Sequence, residues 1–504
     1  MELRDFSLLV GLSVLIPLTW KIILGWESSM TLASYDGLAG TQPMLKSFFS
    51  IRSSTLQGHW HSFLYHFLVF GGAIAHDAVS IIPLYQICSF LGLTPGTSQN
   101  ILVILIQIIL AFFSIRAMKD LSTFLNQNTS TASVFKKPLS LSACLGTLWI
   151  IAFSPAIGWR IFHGHDLLLL GIFVFVVSFS IIISSLQNRL GLLQVLLAVF
   201  SLAHAFSSSG QQLVLYSVIF GFPILCSLIL HSLRNSKKRF GLLVCFFIFL
   251  SAFGISMPQF YSMFTYATGP DAGRSIVTTS LTYSYITATL HDWLSSIPWT
   301  LQLIPINRYQ FFWHEVNYAF GPPLLLFILL WNWRSRGNLG IGIGILISTL
   351  MAVLFSMNQW PFSQCLLTLI PLLDSFRVPE RSILPFVTIL PIVAITGLLQ
   401  TSSSQSYDSR PSRLLLEILY GAILIIGLYF YPFIPPYVRE LALWGIVLGI
   451  SVALLFRFNF LLSRHAAEIV LILLGIGSLA AFKERVPRFE PGETLLSIAE
   501  EVGN

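Results

Sequence analysis

DLLLLGIFVFVVSFSIIISSL, residues 166–186, carries a single charge, at its first position. As a helix rising about 1.5 Å per residue, a run of this length crosses the roughly 30 Å of a bilayer's hydrocarbon. Lipid offers the backbone no hydrogen-bond partners, so a segment placed there must satisfy its own amides as a helix. Comparable runs recur along nearly the whole chain of 504 residues, of which 55% are hydrophobic and 10% charged, with a mean hydropathy of +0.79. These numbers leave no soluble domain of any size and imply an all-α polytopic membrane protein.

Candidate spans fall at about 6–25, 100–118, 139–157, 166–186, 190–206, 211–231, 240–257, 318–334, 339–356, 382–400, 413–431, 439–456 and 466–482. The first ends in Trp20 and Lys21, lacks a small-residue cleavage site and reads as a retained span. Basic residues then orient the set. Arg116, Lys119, Lys136 and Lys137, then Arg189, Arg234 with Lys237 to Arg239, Arg334 and Arg336, Arg410 and Arg413, and Arg457 and Arg464 all fall on one face. The positive-inside rule makes that face cytoplasmic, and the net charge of +7 is read as topology, not nucleic-acid binding. The N-terminus is then cytoplasmic and the tail 483–504 external.

That parity requires two apolar stretches not to cross. Residues 60–93, which follow directly on His59, are broken by Gly71, Gly72 and Pro83 and dotted with His61, His66, His76 and Asp77, which suits interfacial or re-entrant helices. Residues 362–373, caught between Pro361 and Pro379, are too few to span. Two large external loops follow, about 26–99 and 258–317, and long loops often carry function. The segment 401–412, rich in Ser, reads as a solvated linker. Cys88, Cys144, Cys226, Cys245 and Cys365 show neither disulfide nor metal spacing.

Charge at membrane depth defaults to function unless it snorkels to the interface. Arg377 and Arg381, four residues apart in LDSFRVPERS (373–382), need an anionic partner; Asp374 and Glu380 supply one bland answer and a ligand another. Asp36, in Ser34-Tyr35-Asp36-Gly37 just beyond the first span, is either a turn residue or a general base for an incoming hydroxyl. His59 and His61 are read as substrate-contacting side chains, a metal being the lesser reading of that tract, and no cofactor is expected. The short turn after the third span offers Arg160 and His165 beside Asp166, which caps the following helix. Arg274 and Glu315 lie among the tyrosines and tryptophans of the second external loop, a composition that suits sugar rings and membrane interfaces alike.

In this order the pieces resemble the GT-C glycosyltransferases, and among them the bacterial YfhO-like family. The resemblance covers most of the chain up to about residue 400. It rests on Asp36 after the first span, on Arg160 with Gly164-His165 and Leu167 to Leu170, and on Glu315, Tyr318 and Gly321. Its nearest match is Pro371 with Phe376-Arg377-Val378-Pro379-Glu380-Arg381. It implies a GT-C-like bundle of about thirteen transmembrane helices, residues 1–400 forming the catalytic module, 401–482 C-terminal helices and 483–504 a short external tail.

The resemblance further implies transfer of a sugar from a polyprenyl-phosphate-linked donor to a glycan, lipid or protein acceptor, at the external face of a bacterial cytoplasmic membrane. Asp36 would be the base and Arg377 and Arg381 the phosphate clamp. Arg160, His165 and Arg274 would assist the leaving phosphate, and Glu315 would hold a sugar hydroxyl. Tyr35 stands where several members of the family carry another polar or acidic residue, which keeps a non-catalytic subunit in play. A transporter or flippase of a lipid-linked anion is the rival from another class, although the spans show neither acidic relays nor broken, repeated helices.

Overall fold

In the computed structural model the described residues are 95–127, 141–152, 166–207, 211–232, 236–268, 339–356, 361–370 and 379–401, with single positions at 11, 14, 91, 93, 157 and 373. The expected spans 318–334, 413–431, 439–456 and 466–482 lie outside them, as do most of 6–25, most of both external loops and the tail. Among the described residues the structure is all-helical, with no strand. We number the helices α1 (Pro95–Gln127), α2 (Leu141–Ala152), α3 (Asp166–Leu186), α4 (Leu192–Ser207), α5 (Gln211–Ser232), α6 (Ser236–Thr268), α7 (Leu339–Ser356), α8 (Pro361–Leu369) and α9 (Phe386–Thr401), with a 3-10 helix at Pro379–Ile383.

Helix α3 lies at the centre because it is apolar on every side. From Gly171 to Leu186 every residue but Ser178 is buried, and α1, α4, α5, α6 and α9 all pack on it. Its end is set by local chemistry. Asn188 takes the left-handed conformation (φ 55°), the Arg189 amide donates to the Ser184 carbonyl at 2.9 Å and the Asn188 amide to Ser185 at 3.0 Å. These nested bonds form a Schellman cap that satisfies the last carbonyls and turns the chain into α4.

Polar contacts fix the directions of the helices. At the basic end, Arg116 pairs with Asp120 at 2.8 Å, Ser184 donates to the same carboxylate, and Gln187 donates to the Asp120 carbonyl. Arg116 also donates to the Arg189 carbonyl at 2.8 Å, while Gln194 reaches Ser184 at 2.9 Å. The end of α1 is thereby tied to the α3–α4 turn, and Ser185 Oγ ties the same turn to the start of α6 through the Gly241 carbonyl at 2.6 Å. At the other end, Tyr216 and Phe220 of α5 meet Phe355 of α7, with ring centres 5.6 and 5.3 Å apart. Consecutive helices from α3 to α6 thus alternate, and α7 runs antiparallel to α5 and in the direction of α6. That relation is the one expected if a single span separates α6 from α7.

The short segment after α7 returns where it began. Helix α8 has nine residues, about 13 Å of rise, and Ser382 Oγ then donates to the Ala352 carbonyl near the end of α7 at 2.7 Å. Residues 361–383 therefore start and finish at one end of α7, as the length of 362–373 requires. The hydropathy reading differs at α1 and α6, which extend to Gln127 and Thr268, past the expected span ends at 118 and 257. The backbone ladder does not stop where the side chains turn polar, so a helix outruns the hydrocarbon.

Two stretches, Gln212–Leu230 and Arg239–Met257, are long and apolar enough to cross a membrane. Their outward residues are large and apolar, among them Phe222, Leu243, Phe246, Phe247 and Leu250. Such a wall is unstable against water and suits hydrocarbon. Hydroxyls inside the helices turn back on their own backbone, Ser217 to Leu213, Ser256 to Ala252 and Thr349 to Ile345, which hides them from an apolar surround.

Close helix approach relies on glycine at two seams. A Cβ at Gly241 would lie 2.5 Å from the Ser185 carbonyl oxygen, and one at Gly344 would lie 2.9 Å from the Pro223 carbonyl. Small residues let helix backbones approach in this way where no hydrophobic drive exists between them. Gly241→Ala is expected to lower stability by about 1–3 kcal/mol through overpacking, although alanine is the better helix former. Gly254→Ala on the same helix, with open space around it, should be neutral or stabilising. Thermal unfolding of both variants in detergent checks this; equal midpoints would refute the seam.

Candidate functional site

Arg381 is the sequence-predicted site residue that falls among the described positions. Its placement begins with proline: Pro379 fixes the first turn of the 3-10 helix and Pro385 lacks the amide that would prolong it. The Leu384 amide closes the turn on the Arg381 carbonyl at 3.0 Å, and Thr388 at the start of α9 donates to the Pro385 carbonyl at 3.3 Å. Ser382, Ile383, Leu384 and Phe386 are buried, so this short turn is wedged into the bundle and Arg381 is carried on a rigid base.

The guanidinium is half-buried and donates through Nη1 to Gln212 Oε1 at 3.4 Å, a long bond that orients more than it binds. Gln212, buried one residue inside the start of α5, donates in turn from Nε2 to the Tyr216 hydroxyl at 2.9 Å. Four residues apart on one helix, Gln212 and Tyr216 share a face. Tyr216 has no exposed surface and lies against Phe220 and Phe355, so the chain Arg381–Gln212–Tyr216 rests on an aromatic floor. Chemically, this is a planar cation held beside a helix N-terminus, and a guanidinium is the side chain suited to two-point contact with a phosphate or carboxylate.

Arg116, also half-buried, is built differently. It is paired with a carboxylate and caps a carbonyl, which neutralises it and commits it to holding helices. Asp120, 1% exposed, is a buried acid that a search for relays within the spans passes over, because it lies just beyond the expected end of its span.

Asp36, His59, His61, Arg160, His165, Arg274, Glu315 and Arg377 lie outside the described residues, so the structure brings none of them to Arg381. Helix α3 begins at Asp166, which puts that acid in its first turn. Gln212 and Tyr216 are neighbours of the candidate residue Arg381 that the sequence reading missed. Their signal was the polar pair Gln211-Gln212 opening an otherwise apolar span with a tyrosine one turn on. Gln107 is a second buried amide, in the middle of α1, and neither of its polar atoms has a hydrogen-bond partner among the described residues. Among those residues, too, no three His, Cys, Asp or Glu side chains gather as a metal site would need.

No protein-family model matches the chain, and no curated protein matches it. Among solved structures it is similar to the crystal structure of ArnT from Cupriavidus metallidurans in the apo state. The match has 13% identity and a TM-score of 0.42, and covers 96% of this chain and 77% of the other. A superposition that loose does not assign a fold or an activity.

Replacing Gln212 by leucine should cost about 1–3 kcal/mol, since it strips a partner from Arg381 and from the buried Tyr216 hydroxyl. Tyr216→Phe, which removes one hydroxyl from the same chain, should cost about 1 kcal/mol. Unfolding midpoints that rank Tyr216→Phe below Gln212→Leu would refute the order of the chain.

Proposed function

We propose that this chain is a membrane-embedded glycosyltransferase of the GT-C type, taking a sugar from a polyprenyl-phosphate-linked donor at the external face. The observation that carries this reading is the anchoring of Arg381. A half-buried guanidinium is held by a neutral amide at the end of the bundle opposite the basic clusters, on a segment that returns without crossing. A lipid phosphate lying in the bilayer reaches such a cation from the side. Helices α4 to α7 contain no Asp or Glu, which disfavours a transport relay through them.

In the proposed reaction, Asp36 removes the proton of an acceptor hydroxyl while the oxygen attacks the anomeric carbon. The bond from that carbon to the phosphate oxygen breaks, and the electron pair leaves with the polyprenyl phosphate. Arg377 and Arg381 hold that dianion, with Arg160, His165 and Arg274 around it, and the configuration at carbon inverts. Glu315 and the histidines His59 and His61 contact the sugar. Catalysis of this kind draws on positioning and on fixed charge where negative charge develops.

Labelled polyprenyl-phosphate sugar supplied to the full chain in vesicles tests the proposal. Wild type should transfer label to acceptor, and Asp36→Asn should lower the rate by about a hundredfold or more while leaving the fold intact. Arg381→Gln should weaken donor binding and transition-state stabilisation together, by about 2–4 kcal/mol in kcat/KM. Label that crosses the bilayer without transfer would establish a flippase, and near-wild-type activity in Asp36→Asn would remove its assignment as the base.

A further inference from the structure

Tyr216, Gln212 and Arg381 form a line whose direction is set from the buried end. Tyr216 has no exposed surface, and its ring lies against Phe220, one turn on along α5, and against Phe355 of α7. A ring close-packed on buried neighbours keeps one rotamer, which gives its hydroxyl a fixed place. Gln212, also buried, donates from Nε2 to that hydroxyl at 2.9 Å, and this decides which way its amide faces. With the nitrogen on Tyr216, the oxygen Oε1 is turned to Arg381, whose Nη1 donates to it at 3.4 Å. The reverse assignment would set an amide N–H group against a cation that carries only donors. The tyrosine thus fixes the amide, and the amide presents an acceptor to the guanidinium at one place.

Backbone contacts do not achieve this by themselves. Ser382 Oγ on the Ala352 carbonyl and the Leu384 amide on the Arg381 carbonyl hold the 3-10 turn against α7. They fix where the arginine side chain starts, and several freely staggered torsions still lie between that point and its charged end.

We infer that Gln212 is a positioning residue of the proposed donor site, acting through Arg381, with Tyr216 fixing the Gln212 amide in turn. The identity of the anion, a polyprenyl-linked phosphate, comes from the glycosyltransferase reading, on which this role rests. What the role requires is that the guanidinium be held in place, not that it lack other contacts. Its fork carries several N–H donors, and the bond to Gln212 uses one of them. A long side chain that must be ordered when its ligand arrives surrenders affinity, and one already held surrenders less.

The test follows transfer from labelled polyprenyl-phosphate sugar by the full chain in vesicles, with donor and acceptor varied separately. Gln212→Met keeps the bulk of the side chain and removes both amide groups. It should raise the donor KM by about fivefold or more and leave the acceptor KM within about twofold, since the acceptor is assigned to Asp36. Tyr216→Phe should raise the donor KM by about twofold to threefold, because it loosens the amide without removing it. With Arg381→Gln already in place, neither substitution should raise the donor KM further, as groups that act through one side chain are not additive.

A role confined to holding α5 against the 3-10 turn gives a different pattern. The amount of folded protein falls, the donor KM of what remains is that of wild type, and the effects add to those of Arg381→Gln. An unchanged donor KM in Gln212→Met, or additivity with Arg381→Gln, would therefore overturn the role. Should Gln212→Met fail to fold, Tyr216→Phe, which alters a single hydroxyl, decides in its place, and a wild-type donor KM there is equally fatal. Wild type that transfers no label removes the glycosyltransferase reading and the role together, whereas transfer with an unchanged donor KM in the variant removes the role alone.

Discussion

A polar atom inside hydrocarbon must find its partner within the protein, and many of the polar side chains of this bundle, though not Gln107 among the described residues, are arranged around that constraint. Several hydroxyls, such as those of Ser217 and Thr349, fold back on their own helices. Two half-buried arginines, Arg116 and Arg381, make different contacts. Arg116 is neutralised by Asp120 and tied to a helix cap, so its charge is consumed in joining α1 to the α3–α4 turn. Arg381 donates to the amide oxygen of Gln212, a contact that helps to orient the guanidinium.

Such contacts matter because apolar surface alone does not drive helix against helix in lipid. Close packing and interhelical hydrogen bonds take over that work. Helix α3 can occupy the centre because its neighbours come close: α6 at Gly241, α5 with Gly221 under the Phe175 ring, and α9 with Phe386 edge-on to Phe175 at 5.0 Å. The same contacts set helix direction. Once the Arg116–Asp120 cluster and the Ser185–Gly241 bond define one end, Gln212, Phe355 and Arg381 are at the other. The two ends therefore differ in chemistry, one with exposed arginines over an apolar wall, the other with an oriented arginine over an aromatic floor.

Much of this was legible in the chain. Hydropathy located α4, α5 and α7 to within a residue or two, because a helix that lies mostly within hydrocarbon is bounded by the loss of apolar side chains. The same rule underestimated α1 and α6, whose hydrogen-bond ladders continue after the hydrophobic run ends. Arg381 was conspicuous as charge among apolar residues. Gln212 was not, since a neutral amide at a helix start is ordinary until its partner, far away in sequence, is placed beside it.

Composition and spacing by themselves led to the expectation of apolar helices with lipid as their solvent, which the described residues meet as helices, and of a segment 362–373 too short to cross, since each follows from the length of an apolar run set against the thickness of a bilayer. Only the tertiary structure decided that Arg116 pairs with Asp120 and that Arg381 meets Gln212, which of the described helices is central, and which described residues lie together at each end. Those outcomes depend on contacts between residues up to 169 positions apart, as for Arg381 and Gln212, and no local pattern encodes the distance between two helices.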